Sequence, residues 1–293
     1  MGVGKLRSKH VGLVVMSIVL LAVSLVMLLP FLIMVLTSFK TMGEIQSPTF
    51  SLFPKVWHFD NYAEALSRGD WLKYFYNSFV VTIITVVISL VLNSMAGYSF
   101  ARLRFPGRDI LFFSVLIGIM VPAQTTMIPT FLMMKQFPLA GGNNLLGQDG
   151  IGFINSYTGL ILPFIAGSFG IFLCRQFFLN FPRALDEASQ IDGASKFRVF
   201  LQIYLPLSKP ILATLAIFKT TSAWNDYMWP LIMTNTEGMR TVQLGLTIFR
   251  GETNVEWNLL MAATTLVVLP LVVLFLAAQK YFVQGIVTTG LKA

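Results

Sequence analysis

From Val11 to Phe39 the chain carries no ionisable side chain. A membrane-spanning helix needs about 20 mostly apolar residues. A secretory signal carries an apolar region of only about 7–15, followed by a small-residue cleavage site. The run is too long for the second and has no clear cleavage site, so it reads as a first span that stays in the protein. Comparable runs recur along the chain. Charged residues make up only 12% of it, against roughly 25% in a soluble domain. Such a chain cannot dress a soluble surface. A soluble enzyme, a disordered chain and a disulfide scaffold are excluded together. The runs are also too long for the alternating segments of about ten residues that build a β-barrel.

The expected fold is therefore all-α and polytopic, with six transmembrane helices in one domain covering 1–293. The spans fall at about 12–36, 75–101, 110–134, 154–175, 206–231 and 258–279. Pro30, Pro122, Pro129, Pro163 and Pro270 lie inside them. Each reads as a local kink, because neighbouring helices and water can satisfy the freed carbonyls. No internal repeat or low-complexity tract is visible.

Six spans leave both termini on one side. With the N-terminus inside, thirteen Lys and Arg residues fall in inner segments and seven in outer ones. That bias places both termini in the cytoplasm. The tight inner turn from Arg102 through Arg104 to Arg108 marks the side most clearly. The net charge of +8 is spread over short loops. It forms no basic stripe of the kind that binds nucleic acid.

Cofactor chemistry finds little purchase. Cys174 is the single cysteine, and His10 and His58 lie far apart. No Cys/His spacing suits a metal. Gly2 to Lys5 imitates the end of a phosphate-binding loop, but Leu6 stands where Ser or Thr is needed and no strand precedes it. Expected cofactors of the chain itself are none, and any ATP hydrolysis must come from another chain.

The inner loop 182–210 is too polar to span and too patterned to be a linker. Pro182 suits a first helical turn. Asp186 and Glu187 follow where the helix dipole favours anions, and Leu185, Ala188 and Ile191 recur at helical spacing. Gly193 interrupts at an expected turn. A second helix then carries Phe197, Phe200, Leu201 and Tyr204 as its apolar stripe, and Pro206 separates it from the fifth span. Ala188, Gly193, Ala194 and Ser195 keep part of the surface low, which lets another backbone approach. On residues alone, an interfacial anchor between spans four and five explains the loop equally well.

The run from Glu187 to Ser195, followed by Leu205 to Pro210, resembles the EAA loop of ABC importer permeases. Ser189 stands where the family pattern has Ala. Other segments resemble the carbohydrate-import branch: Thr37 to Lys40, Leu52 to Pro54, Asn61-Tyr62, Asn77-Ser78, Ala101 to Gly107, Trp224 to Asp226, and a tail from Tyr281. The order is that of the smaller, six-span permease of maltose-type importers. An alginate or uronate oligosaccharide importer is one variant of this resemblance. It implies a second permease subunit, two ATP-binding subunits carrying ATP and Mg, a periplasmic or lipid-anchored solute-binding protein, and an oligosaccharide cargo. It implies a bacterial or archaeal inner membrane. It assigns ATPase coupling to Glu187, Ala188, Ser189, Asp192, Gly193, Ala194, Leu205 and Pro206. Glu187 would meet a basic ATPase residue and Gly193 would permit the turn. The tail 281–293 would touch the ATPase layer, and loop 232–257 would face the binding protein.

Ionisable residues inside a membrane are costly and often functional. Lys219 and Asp226 are seven residues apart in span five. As one helix they would share a face, with Ser222 between them and Trp229 a turn beyond. Either Lys219 pairs with Asp226 through water or with another subunit, or the face lines the pathway together with Asn225 and, in span two, Asn93. Asn93 reads equally well as interhelical glue. The related importers usually place an uncharged residue where Lys219 stands, which leaves neutral and acidic oligosaccharides both open as cargo. An importer of a non-sugar solute, an ion-coupled transporter and a membrane-embedded enzyme are the rival classes. The last lacks any visible convergence of nucleophile, base or metal ligands.

Overall fold

The computed structural model describes the backbone of residues 3–251 and 254–290, and side chains over 12–251 and 254–279. Among the described residues the regular secondary structure is helical, joined by turns and loops, with one isolated bridge between Arg250 and Val255. Three helices are each long and apolar enough to cross a membrane: Gly12–Ser38, Trp71–Arg102 and Trp257–Gln279. Three bent helix pairs raise the number of candidate spans to six. Pro30 and Pro270 sit inside continuous helices, as expected of tolerated intramembrane prolines.

The middle spans depart from the sequence reading. Span three is not one kinked helix. Arg108–Met120 and Ala123–Lys135 meet at 108°, broken at Val121-Pro122. Pro122 has no N–H to continue the ladder, and its ring pushes Val121 out of helical geometry (ψ 123°). Span four divides into Tyr157–Phe164 and Ser168–Leu179, bent by 41°. Span five starts at Lys209 rather than Pro206, after a 79° bend, and its helix ends at Trp224. Lys219 and Asp226 therefore do not share a continuous helix. Asp226 sits in the break before Met228–Met233, where its Oδ1 accepts the Trp229 N–H at 3.2 Å.

By contact the chain forms two compact units. In the first, residues 1–69 and 246–269, Asn61 holds the chain that leaves the first span. Its Nδ2 donates to the Ser38 and Lys40 carbonyls at 2.8 and 2.9 Å, and its Oδ1 accepts from Asn258 at 3.1 Å. The Ser38 and Tyr62 hydroxyls lie 2.7 Å apart, and Phe39 packs on Trp57, Phe59 and Tyr62.

In the second unit, 70–245 with 270–293, Trp71–Arg102 is a helix turned inside out. Its buried face carries Ser78, Thr82, Thr85, Ser89 and Asn93 at helical spacing. Ile83, Val87 and Val91 are more than half exposed. In water that order would be reversed. In lipid it is favourable, because small polar side chains allow close packing and bond between helices while aliphatic ones face the acyl chains. Gly97 shows how close the packing is. A Cβ there would lie 2.5 Å from Cys174 Cβ and 2.9 Å from the Arg175 main-chain nitrogen.

Candidate functional site: a coupling loop and a cavity at three helix breaks

The helix Ala184–Ile191 carries both acids in its first turn. It ends in a Schellman turn: Ala194 N–H bonds the Ser189 carbonyl at 3.0 Å and Gly193 N–H the Gln190 carbonyl at 3.1 Å. Gly193 takes φ +68 in open space. Backbone conformation, not crowding, is what calls for glycine there. Ser195 then caps the next helix by accepting from Arg198 N–H at 3.3 Å.

That second helix is not a regular α-helix. Lys196–Val199 passes into a π-helical stretch, Phe200–Tyr204. The extra residue per turn rotates the face. Val199, Phe200 and Tyr204 are buried against Tyr98, Cys174 and Phe178, whereas Phe197 and Leu201 are 58% and 43% exposed. The expected stripe of Phe197, Phe200, Leu201 and Tyr204 is thus split between two faces.

Adjacent acids do different work. Asp186 is held by Arg102, with Nη1–Oδ2 at 3.4 Å, and accepts from the Tyr204 hydroxyl at 2.8 Å. The Arg102 guanidinium lies over the Tyr204 ring and also donates to the Phe181 carbonyl. Glu187, one residue on, is exposed, and among the described residues it makes no ion pair. Asp186 was absent from the expected site. Its one signal was its place beside Glu187, since neighbours on a helix point about 100° apart.

The other residues expected to couple divide as well. Ala188, Asp192, Gly193 and Pro206 are exposed. Ser189 is buried and donates to the Asp186 carbonyl at 2.8 Å. It packs the helix instead of facing a partner, a correction to its grouping with them. Ala194 and Leu205 pack against the core beneath. The spacing of Leu185, Ala188 and Ile191 does not mark a buried stripe either: Ile191 is 87% exposed, so this face awaits a cover. The side chains of the tail from Tyr281 lie outside the described residues.

Intramembrane polar residues meet where the chain breaks at 121–122, 165–167 and 225–227. A cavity of about 470 Å³ is lined by Gln124 and Thr126 after the first break, Phe164 before the second, and Asn225, Asp226 and Tyr227 within the third. Ser222 and Trp229 also line it. Broken helices put irregular, polar backbone at membrane depth, which is tolerated where it lines a cavity. A smaller chamber of about 50 Å³ shares Phe164, Ser222, Asp226 and Trp229 with it and adds Lys219. Among the described residues Lys219 and Asp226 form no ion pair. Lys219 Nζ donates to the Phe164 main-chain carbonyl at 3.2 Å. Asn225 bonds the Thr221 carbonyl and receives the Gln243 amide.

Asn93 lines neither space. It is fully buried, donates to Ser89 Oγ at 2.6 Å and accepts the Gly167 N–H at 3.0 Å. These are the contacts of interhelical glue, the alternative reading of Asn93. Gln124, Thr126 and Tyr227 were missed because nothing in their local pattern shows that Pro122 turns the chain back on itself.

A family model described as binding-protein-dependent transport system inner membrane component matches residues 93–288. The chain is 33% identical over 282 residues to the arabinooligosaccharides transport system permease protein AraQ of Bacillus subtilis, covering 95% of each chain. It is 31% identical to the probable starch degradation products transport system permease protein AmyC of Thermoanaerobacterium thermosulfurigenes, covering 98% of this chain and all of that one. A chain in the crystal structure of a bacterial ABC transporter involved in the import of the acidic polysaccharide alginate has the same fold. Its TM-score is 0.78 at 23% identity, over 94% of this chain and 98% of that one.

Proposed function

Because this chain belongs to the binding-protein-dependent transport system inner membrane components, we propose that it is one of two permease subunits of an ATP-driven oligosaccharide importer. In this reading 1–293 is one permease domain with both termini in the cytoplasm. Two separate subunits bind ATP and Mg, and a solute-binding protein delivers the cargo to the opposite face. The chain itself catalyses nothing. Oligosaccharide as cargo is supported by relatives named for arabinooligosaccharides and starch degradation products.

The observation that carries the reading is the two-faced helix Ala184–Ile191. Its inner face is anchored through Asp186 to Arg102, at the end of span two. Its outer face offers Glu187, Asp192 and the uncovered Ile191. A push on the outer face is passed to a membrane span by an ion pair, not by a flexible linker. The 470 Å³ cavity is then the place for the sugar. Hydroxyls, amides and one carboxylate suit sugar hydroxyls, and Tyr227, Trp229 and Phe164 supply apolar faces for ring CH groups.

We favour a neutral oligosaccharide. The charged group lining the larger cavity is Asp226, which accepts sugar hydroxyls and repels carboxylates. An acidic oligosaccharide is the second reading, because Lys219 lines the adjoining chamber. The deciding experiment is co-purification of the chain with its neighbouring subunits, followed by binding-protein-stimulated ATPase activity across a panel of neutral and uronate oligosaccharides. Stimulation by neutral sugars, lost in Glu187→Ala, is the expected result. Uptake into vesicles without any ATPase subunit would overturn the importer reading.

A further inference from the structure

A second cavity lies between the turn 102–108 and the helix Ala184–Ile191. It measures about 720 Å³ and is lined by Arg102, Arg104, Arg108, Arg183 and Lys196 against only Asp186 and Glu187. Two of the cations are engaged: Arg102 by Asp186, and Arg108 by Asp109 at 3.0 Å. Among the described residues no ion pair engages Arg104, Arg183 or Lys196. Arg104, Arg183 and Lys196 share the cavity with one unpaired acid, Glu187, so a net excess of positive charge remains there, and an anion seated among them lowers its mutual repulsion.

Position selects the anion. The cavity opens where the spanning helix Trp71–Arg102 ends and Arg108–Met120 begins, at the level of the lipid headgroups. One wall is apolar, with Tyr98, Leu103 and Phe105. Ile110 and Phe113 follow on the next helix, 75% and 62% exposed, and offer an acyl chain somewhere to lie. A phosphodiester carries one negative charge and accepts several charge-assisted hydrogen bonds.

We propose that this cavity binds the headgroup of an anionic phospholipid. Basic pockets at the ends of membrane helices suit such headgroups. The phosphate bridges the turn 102–108 to Arg183 and Lys196, which flank the helix Ala184–Ile191. The lipid is thereby a second tie between this helix and the membrane boundary, beside the Arg102–Asp186 pair.

The test uses the full-length chain in detergent with phosphatidylcholine and graded phosphatidylglycerol, and reads retained lipid by native mass spectrometry. Each cation removed in the series R104Q, R183Q and K196Q is expected to lower phosphatidylglycerol retention about fivefold. The double variant R104K/R183K keeps the charge and is expected to hold retention within about twofold. Unchanged retention in the triple glutamine variant overturns the proposal. So does equal loss in the lysine variant, which would report damage to the fold. Displacement by millimolar inorganic phosphate would make this a free-anion site. Loss of phosphatidylglycerol from the unsubstituted chain once ATPase subunits are bound would assign the basic surface to an acidic protein partner. Both results overturn the lipid. The importer reading is tested separately by ATPase stimulation and does not depend on this result.

Discussion

The Lys219 ammonium donates to the main-chain carbonyl of Phe164 at 3.2 Å, closing the open end of the first half of span four. The other side of the same break is held by Asn93, which accepts the Gly167 N–H. Two side chains from two other helices therefore satisfy backbone groups that the break would leave bare in a solvent without water. A cation at a helix C-terminus also meets the negative end of the dipole.

Lys219→Ala should accordingly lower stability in detergent, by about 1–2 kcal/mol. It should also slow transport, while the preference between neutral and acidic oligosaccharides stays the same. Thermal unfolding and a competition assay check both parts. A collapse of acidic-sugar uptake alone would move Lys219 into the cargo path.

Asp186 and Glu187 should separate cleanly. Asp186→Ala strands the Arg102 guanidinium, whose side chain is only 7% exposed, and should cost about 3 kcal/mol. Glu187→Ala should leave stability within about 0.5 kcal/mol while abolishing sugar-stimulated ATP hydrolysis. If Glu187→Ala hydrolyses and transports at the wild-type rate, its coupling role is wrong.

Gly193→Ala places a Cβ in open space at φ +68, so its effect is purely conformational. A loss of about 1 kcal/mol is expected, and Gly193→Asn should recover part of it, because Asn tolerates the left-handed region best after Gly. Equal effects of Ala and Asn on unfolding temperature would argue for a side-chain clash with a partner instead.

Gly97→Ala is the contrasting case. The added methyl meets Cys174 Cβ and the Arg175 backbone, which cannot swing aside. A loss of about 1–3 kcal/mol is expected. Cys174→Ser should not rescue it, since the obstructing Cβ remains. Unfolding of the double variant checks this.

Much of this architecture was legible because its causes are local. Spans one, two and six follow from uninterrupted apolar runs, and the turn at Gly193 follows from a missing Cβ. The helix Ala184–Ile191 was placed by Pro182 at its start and acids in its first turn. The cavity was harder to read. Pro122 looks like any tolerated intramembrane proline, and Pro30 and Pro270 are passed by continuous helices. Whether a proline kinks or breaks a span depends on what satisfies the freed backbone groups, and those partners are far away in sequence.

The sequence by itself determined the solvent. A chain with 12% charge and such apolar runs must live in lipid, and its polar loop must meet something outside. The tertiary structure decided which polar groups face inward. It tied Asp186 to Arg102, buried Ser189 and left Glu187 exposed. It turned the face of the second loop helix by a π-helical stretch, and it gave Lys219 to a carbonyl instead of to Asp226. The reason is physical. Hydropathy is summed over a window of neighbours, whereas a buried polar group finds its partner through space, 55 residues away for Lys219.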